Sequence, residues 1–191
     1  MTTQKQTIEE VQEKIHLIIG KTFELPITKN KGRPGLLLEE LTGIPQSSDC
    51  LDAENGELKT FPLKKLKNGK IVPKETIAVT MVCPSALREH DFRASRACKK
   101  LNRTLYVPIL REGDQITYMT PKIIDLNDYP ELVDILEADY NAIRANFLET
   151  GTFNSKIGTL LQCRTKGPGH GSTTRAFYLR PEFVKKYIPL D

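Results

Sequence analysis

The chain has 191 residues, of which 39% are hydrophobic and 27% charged, which is typical of a globular protein. This balance excludes a largely disordered chain, and no apolar run approaches the roughly 20 residues that a membrane-spanning helix needs. A net charge of +4 permits nucleic-acid binding without requiring it. The polar start of the chain is unlike a secretion signal, and the spacing of the four cysteines fits no zinc module. We therefore expect free thiols and a cytoplasmic protein, or a nuclear one in a host with a nucleus.

Two helices are predicted before the first strand. Thr7 and Glu10 form a capping-box pattern that begins a helix with one apolar face, and Gly20 ends it. Residues 29–34 read as a basic loop and residues 36–41 as a short second helix. Residues 1–30 would thus form a helical segment ahead of the rest of the chain.

Strand patterns dominate the middle of the chain. Asn55-Gly56 is the strongest two-residue hairpin signal, and it predicts strands at 50–54 and 57–63. A second turn is expected at 67–70 and a buried strand at 76–82.

The second half alternates helices with strand pairs. The predicted elements are a helix at 92–101, strands at 104–110 and 115–119, a long helix from 128–131 to Gly151, strands at 159–164 and 175–179, and a helix at 181–187. This order predicts a single domain over residues 1–191, of α/β (α+β) class, with a central mixed sheet flanked by helices.

Charged residues cluster around the predicted hairpin. Glu57 and Lys59 share one strand face, and a turn at 55–56 would place Asp52 and Glu54 beside them. Asp49 would then point to the other face. Carboxylates near a lysine suit Mg²⁺-assisted phosphodiester cleavage. The same pattern also fits a solvated hairpin with cross-strand charge pairs.

Longer motifs add a family resemblance. Residues 31–39 (KGRPGLLLE) followed by residues 56–63 (GELKTFPL) resemble the MutH family, which holds the mismatch-repair nicking enzyme and GATC-cutting type II restriction endonucleases. The similarity continues, in order, through KKLKNGK at 64–70, KLNRTLYVP at 100–108, LQCRTK at 161–166 and RAFYL at 175–179. Residues 31–191 are therefore identified as a MutH-like region.

The resemblance implies a PD-(D/E)xK restriction-endonuclease-like fold and a division of roles. Glu39 would be a helical carboxylate at the metal site, Glu57 a metal ligand and Lys59 the catalytic lysine. Lys100 would be a second functional lysine. The DNA contacts implied by the resemblance are Arg164, Lys166 and Tyr178.

One position departs from the family pattern. The family places an aspartate seven residues before the glutamate, and that position is Cys50 here. Asp52 or Asp49 must replace it as a metal ligand. The shared-face argument favours Asp52, whereas a longer, irregular turn would favour Asp49.

Basic residues outside the motif suggest further DNA contacts. Four of them fall at helical spacing and predict one basic face: Arg93, Arg96, Lys100 and Arg103. Among these we single out Arg96, together with Lys31 in the basic loop, as DNA-binding residues. The segment 166–171 is either a DNA-reading loop or a plain surface loop.

These observations predict a Mg²⁺-dependent, sequence-specific endonuclease of double-stranded DNA, of type II restriction character, that leaves 5′-phosphate ends. A MutH-like nickase with a mismatch-repair partner is the alternative within DNA metabolism. A catalytically inactive DNA-binding module is the alternative from another class. With one active site per chain, double-strand cleavage requires a homodimer or a monomer that nicks twice.

Overall fold

The computed structural model describes residues 5–46, 48–167 and 173–190. Its elements in chain order are α1 (Ile8–His16), β1 (Thr22–Glu24), α2 (Arg33–Thr42), β2 (Glu57–Lys65), β3 (Ile71–Pro73), β4 (Ile77–Met81), α3 (Pro84–Glu89), α4 (Arg96–Leu101), β5 (Arg103–Glu112), β6 (Gln115–Tyr118), β7 (Lys122–Asp125), α5 (Pro130–Thr150), β8 (Leu161–Thr165), β9 (Arg175–Leu179) and α6 (Pro181–Tyr187).

A mixed six-stranded sheet lies at the centre of the protein. Its strand order is β1-β6-β5-β2-β3, with β7 also paired to β5. The pairing of β2 with β5 is parallel and runs from Glu57 opposite Thr104 to Leu63 opposite Leu110. The other pairings in this sheet are antiparallel. The parallel pair places the start of β2 beside the start of β5, where α4 has just ended.

A second, three-stranded antiparallel sheet has the order β4-β9-β8. The strands predicted at 76–82, 159–164 and 175–179 thus lie in this sheet and not in the central one. Ile77 and Phe177 pack in the same hydrophobic core as Phe61 of the central sheet, so the small sheet covers one face of the large one. Alternating polarity identifies a strand but does not say which partner it hydrogen-bonds, because both sheets bury one face in the same core.

The central sheet buries both of its faces. On one side, Phe61 and Tyr106 pack with residues of α5, α6 and the small sheet. On the other, Leu58, Leu105 and Val107 pack against α1 and α2. Helices therefore flank a mixed central sheet, which confirms the predicted α/β class.

Several predicted elements are confirmed with shifted bounds. The predicted capping box is present. The Thr7 hydroxyl accepts from the backbone N–H of Glu10, and the Glu10 carboxylate accepts from the backbone N–H of Thr7. The long helix ends at Gly151, whose φ of 68° favours glycine. The helix predicted at 92–101 begins only at residue 96, because Ser95 caps it by accepting from the N–H of Cys98.

Three short strands, β1, β3 and β7, were not predicted, since three or four residues carry too little periodicity. The described cysteines are free, as expected. In the described ranges, no helix is both long and apolar enough to cross a membrane.

Candidate active site

Glu57, the first residue of β2, is the most buried acidic side chain of the site, with 1% exposure. Its Oε1 atom lies 2.7 Å from the Nζ of Lys59 and 2.6 Å from the Nζ of Lys100. A buried carboxylate requires such partners because desolvation disfavours an isolated charge. Its Oε2 atom is also buried, and it has no hydrogen-bond partner among the residues that the structure describes.

The parallel pairing of β2 with β5 explains how Lys100 reaches Glu57. Residue 57 lies opposite Thr104, and the Thr104 hydroxyl donates to the carbonyl of Lys100 at 2.8 Å. The end of α4 is thereby held against the start of β2. Thr104 is a supporting residue that the sequence analysis missed, because only the strand register shows it to be opposite Glu57.

Glu39 lies on α2 and is half-buried. Burial raises the pKa of Glu39, and the negative charge of Asp52 raises it further. Lys59 lowers this pKa, while Glu57 again raises it. The charges of Asp52, Lys59 and Glu57 are therefore close enough to Glu39 to influence its pKa.

The predicted hairpin around Asn55-Gly56 is wrong. Residues 50–54 form no strand, and β2 pairs with β5 and β3 instead. The Glu54 amide, which a two-residue hairpin turn would use, instead donates to the carbonyl of Gln6 at 2.8 Å. The Leu58 amide donates to the carboxylate of Asp52 at 3.1 Å. The segment therefore stays a loop that folds back on the start of β2.

The structure separates the two candidate aspartates. Asp52 lies beside the start of β2 and influences Glu39. Asp49 instead forms an ion pair of 2.7 Å with Lys5, and its side chain is 60% exposed. The choice of Asp52 over Asp49 thus agrees with the geometry, although the hairpin argument that favoured it does not hold.

No three His, Cys, Asp or Glu side chains within residues 5–46, 48–167 and 173–190 already form a group that could hold a metal ion.

The prediction of one basic face over residues 93–103 is wrong. Arg93 precedes α4 and binds Glu137 at 2.9 Å, while Arg103 lies in β5 and forms an ion pair with Asp125 at 3.3 Å. Lys100 points to Glu57, as described above. Arg96, the first residue of α4, is exposed at the surface, as is Arg93.

Two predicted DNA contacts stack on one another in the small sheet. The guanidinium of Arg164 lies 4.6 Å from the ring centre of Tyr178. Arg164 is exposed, whereas Tyr178 is 9% exposed. Lys166 follows β8 and is exposed, and Lys31 forms an ion pair of 3.8 Å with Glu75 at the surface. The loop prediction at 166–171 lies largely outside the described residues, which stop at 167 and resume at 173.

The family model of the DNA mismatch repair enzyme MutH matches residues 44–146, more than half of the 191 residues. The chain belongs to the MutH family. The matched region contains Asp52, Glu57, Lys59 and Lys100, and Glu39 lies ahead of it. As a MutH-family member the protein is a DNA endonuclease, and therefore a hydrolase, as the sequence predicted.

No curated protein matches the sequence. Among solved structures, the complex of restriction endonuclease MvaI with a cognate DNA substrate is similar, with 12% sequence identity and a TM-score of 0.49. The similarity covers 97% of each chain.

Proposed function

We propose that this protein is a Mg²⁺-dependent, sequence-specific endonuclease of double-stranded DNA, of type II restriction character, that hydrolyses phosphodiester bonds to 5′-phosphate and 3′-hydroxyl ends. The observation that carries this proposal is the contact of the buried Glu57 carboxylate with both Lys59 and Lys100. The carboxylates of the site can hold a metal ion, and the two lysines beside Glu57 can bind a phosphate. The site is therefore suited to both together.

The residues of the site fit a hard divalent cation. Within the described part of the chain, Glu57 keeps one buried oxygen without a hydrogen-bond partner. A positive ion would offset the effects of burial and of the Asp52 charge, which together raise the pKa of Glu39. Glu39, Asp52 and Glu57 would hold the ion, with Asp49 as the alternative to Asp52. A bound Mg²⁺ would polarise the scissile phosphate and lower the pKa of a bound water.

The two lysines have different access to a substrate. The side chain of Lys59 is 27% exposed and that of Lys100 is 12% exposed. We assign to Lys59 the role of orienting the attacking water and offsetting the charge that develops on the phosphate. Lys100, which is held more deeply, binds the Glu57 carboxylate and adds positive charge beside the phosphate.

DNA binding is assigned to exposed cations on both sides of the site. Arg164 and Lys166 lie on and after β8, Tyr178 supports Arg164 by stacking, and Arg96 begins α4. Lys31 precedes α2, the helix that carries Glu39. Cations in these places would bind phosphates and release counterions.

Membership of the MutH family of mismatch repair enzymes supports a second candidate function. This candidate is a nicking endonuclease of mismatch repair that acts with a repair partner. Each chain holds one Glu57-Lys59-Lys100 constellation in its described residues, so a monomer would cut one strand at a time. A homodimer, or two sequential nicks, would produce a double-strand break. We further propose that residues 1–191 act as one nuclease domain in the cytoplasm, or in the nucleus of a eukaryote.

The third candidate, a catalytically inactive DNA-binding module, is disfavoured by the site itself. DNA binding alone gives no reason to keep a buried glutamate between two lysines, since burying a charge is costly.

Supercoiled plasmid DNA tests the three candidates. We expect cleavage with Mg²⁺ that EDTA prevents and that Glu57→Ala or Lys59→Ala abolishes. Linear product identifies the restriction activity, and open circles that persist identify the nickase. Binding without cleavage at every Mg²⁺ concentration would establish the inactive module. Sequencing of the product ends would give the recognition sequence and the end chemistry.

A further inference from the structure

The segment just before α1 binds the loop that carries Asp52. The Nζ atom of Lys5 lies 2.7 Å from the Asp49 carboxylate and donates to the carbonyl of Leu51, also at 2.7 Å. One residue on, the carbonyl of Gln6 accepts from the N–H of Glu54 at 2.8 Å. Residues 48–56 belong to no helix or strand, so contacts of this kind decide where the loop lies.

Asn55 joins this loop to the N-terminus of α1. Its Oδ1 atom accepts from the N–H of Ile8 at 2.8 Å, and its Nδ2 atom donates to Glu9 at 3.0 Å. A Cβ atom on Gly56 would lie 3.0 Å from the carbonyl oxygen of Arg103 and 3.3 Å from the Cβ of Ile8. The Asn-Gly pair therefore serves close docking onto α1 and β5 and not a hairpin turn.

The side chain of Gln6 also reaches the helix that carries Glu39. Its Nε2 atom donates to the carbonyls of Thr42 at 3.1 Å and Gly43 at 2.9 Å, where α2 ends. Lys14 donates to the carbonyl of Thr42 as well, at 3.1 Å. Gln6 thus links both of the segments that bring a carboxylate to the site beside Glu57.

We propose that residues 5–9 and Asn55 form a tether that positions the carboxylates of Asp52 and Glu39 for a divalent metal ion, with Gln6 and Asn55 as its positioning residues. The inference rests on the proposed metal-dependent function. Asp52 lies three residues before Asn55, and Glu39 lies three residues before Thr42. Residues 5–9 lie outside the matched family region, which begins at residue 44.

The physical basis is pre-organisation. Without the tether, the loop and the helix end would have to be ordered when the ion binds, and the entropy lost would weaken binding. Partners that hold metal ligands in place typically contribute about 10- to 100-fold to metal affinity. The tether would not contact the DNA or the ion, so its loss should affect ion binding first.

Titration with Mn²⁺, followed by electron paramagnetic resonance on the full chain, tests the tether. We expect Asn55→Ala and Gln6→Ala each to weaken Mn²⁺ binding by about tenfold. Excess Mn²⁺ should restore DNA cleavage by both variants. Asn68→Ala is the matched control, since Asn68 also holds a loop amide, that of Lys70 at 3.1 Å, but in the turn between β2 and β3. It should bind Mn²⁺ like the wild type.

Hydrogen exchange on the wild type tests the same link without a substitution. Addition of Mn²⁺ should slow exchange of the amides of Ile8 and Glu54 together with that of Leu58, which donates to Asp52. Folded variants that bind Mn²⁺ as tightly as the wild type, or protection of Leu58 alone, would overturn the tether and leave the metal site standing. A wild type that binds no Mn²⁺ would overturn the metal site and the tether together.

Discussion

The ammonium group of Lys100 lies 2.6 Å from the Oε1 atom of Glu57, a side chain with only 1% exposure. The two residues are 43 positions apart in the chain. They meet because β2 and β5 run parallel and in register, so that the helix ending before β5 reaches the first residue of β2.

Replacement of Lys100 by methionine keeps the apolar stem and removes the charge. We expect Lys100→Met to lower the single-turnover cleavage rate by about 100-fold or more, which is typical for loss of one group that stabilises a transition-state charge. Lys99→Met is the control, because Lys99 is exposed on the same helix. Wild-type cleavage by Lys100→Met would remove this lysine from the site.

The pair Asp52→Asn and Asp49→Asn decides which aspartate serves the metal. The first change should abolish Mg²⁺-dependent cleavage, because Asp52 is close enough to Glu39 for its charge to raise the pKa of Glu39. The second should leave cleavage close to wild type at saturating Mg²⁺, because Asp49 pairs with Lys5 at the surface and Lys5 keeps its bond to the carbonyl of Leu51. Plasmid cleavage over a range of Mg²⁺ concentrations measures both, and the reverse ranking would assign the role to Asp49.

Glu39→Gln should stabilise the metal-free protein while abolishing cleavage. The raised pKa of Glu39, caused first by burial and then by Asp52, means that folding disfavours the charged carboxylate. Above that pKa the wild type carries this destabilising charge and the glutamine variant does not, so the variant should melt at a higher temperature in EDTA.

The difference in melting temperature between Glu39→Gln and the wild type should disappear as the pH falls through the folded-state pKa of Glu39, because the wild-type side chain then becomes neutral as well. The increase in melting temperature should be small, since solvent screens the charge of a half-buried group. Glu13→Gln, at an exposed position of α1, is the control and should show no such pH-dependent gap. An unchanged melting profile for Glu39→Gln would show that burial and the Asp52 charge do not disfavour the Glu39 carboxylate in the folded protein.

Arg164→Ala should weaken DNA binding in a salt-dependent way. Loss of one phosphate contact is expected to reduce the slope of log affinity against log salt by about one unit. Arg88→Ala is matched to it, because Arg88 also stacks on a ring, that of Phe147 at 4.7 Å, but outside the small sheet. Fluorescence anisotropy with duplex DNA in EDTA measures both, and equal slopes for the two variants would contradict the assignment.

Asp139 supports the start of the strand that carries Arg164. Its carboxylate, 5% exposed, accepts from the amides of Thr159, Leu160 and Leu161 at 2.7–2.8 Å. We expect Asp139→Ala to lower the free energy of unfolding by about 3 kcal/mol, because it leaves buried donors unpaired. Asp134→Ala, exposed on the same helix, should be near neutral. Urea unfolding of both variants gives the comparison.

The sequence by itself determined the family, the helices and strands with strong periodicity, and the candidate residues of the site. Glu57, Lys59 and Lys100 belong to motifs whose order along the chain carries the resemblance, and the family match confirms that resemblance. Local patterns also predicted α1 and α5, because capping boxes and terminal glycines act within a few residues.

Only the tertiary structure decided how Asn55 is used, which strands share a sheet and where the basic side chains point. The Asn55-Gly56 sequence is compatible with a hairpin turn and with close packing against other elements. Which of the two forms depends on contacts with α1 and β5, which lie far away in the sequence. By their spacing alone, Arg93 and Arg103 fit one basic face. In the structure, Glu137 binds Arg93 and Asp125 binds Arg103. In each case a partner distant in the chain satisfies a polar group whose local sequence permits several partners.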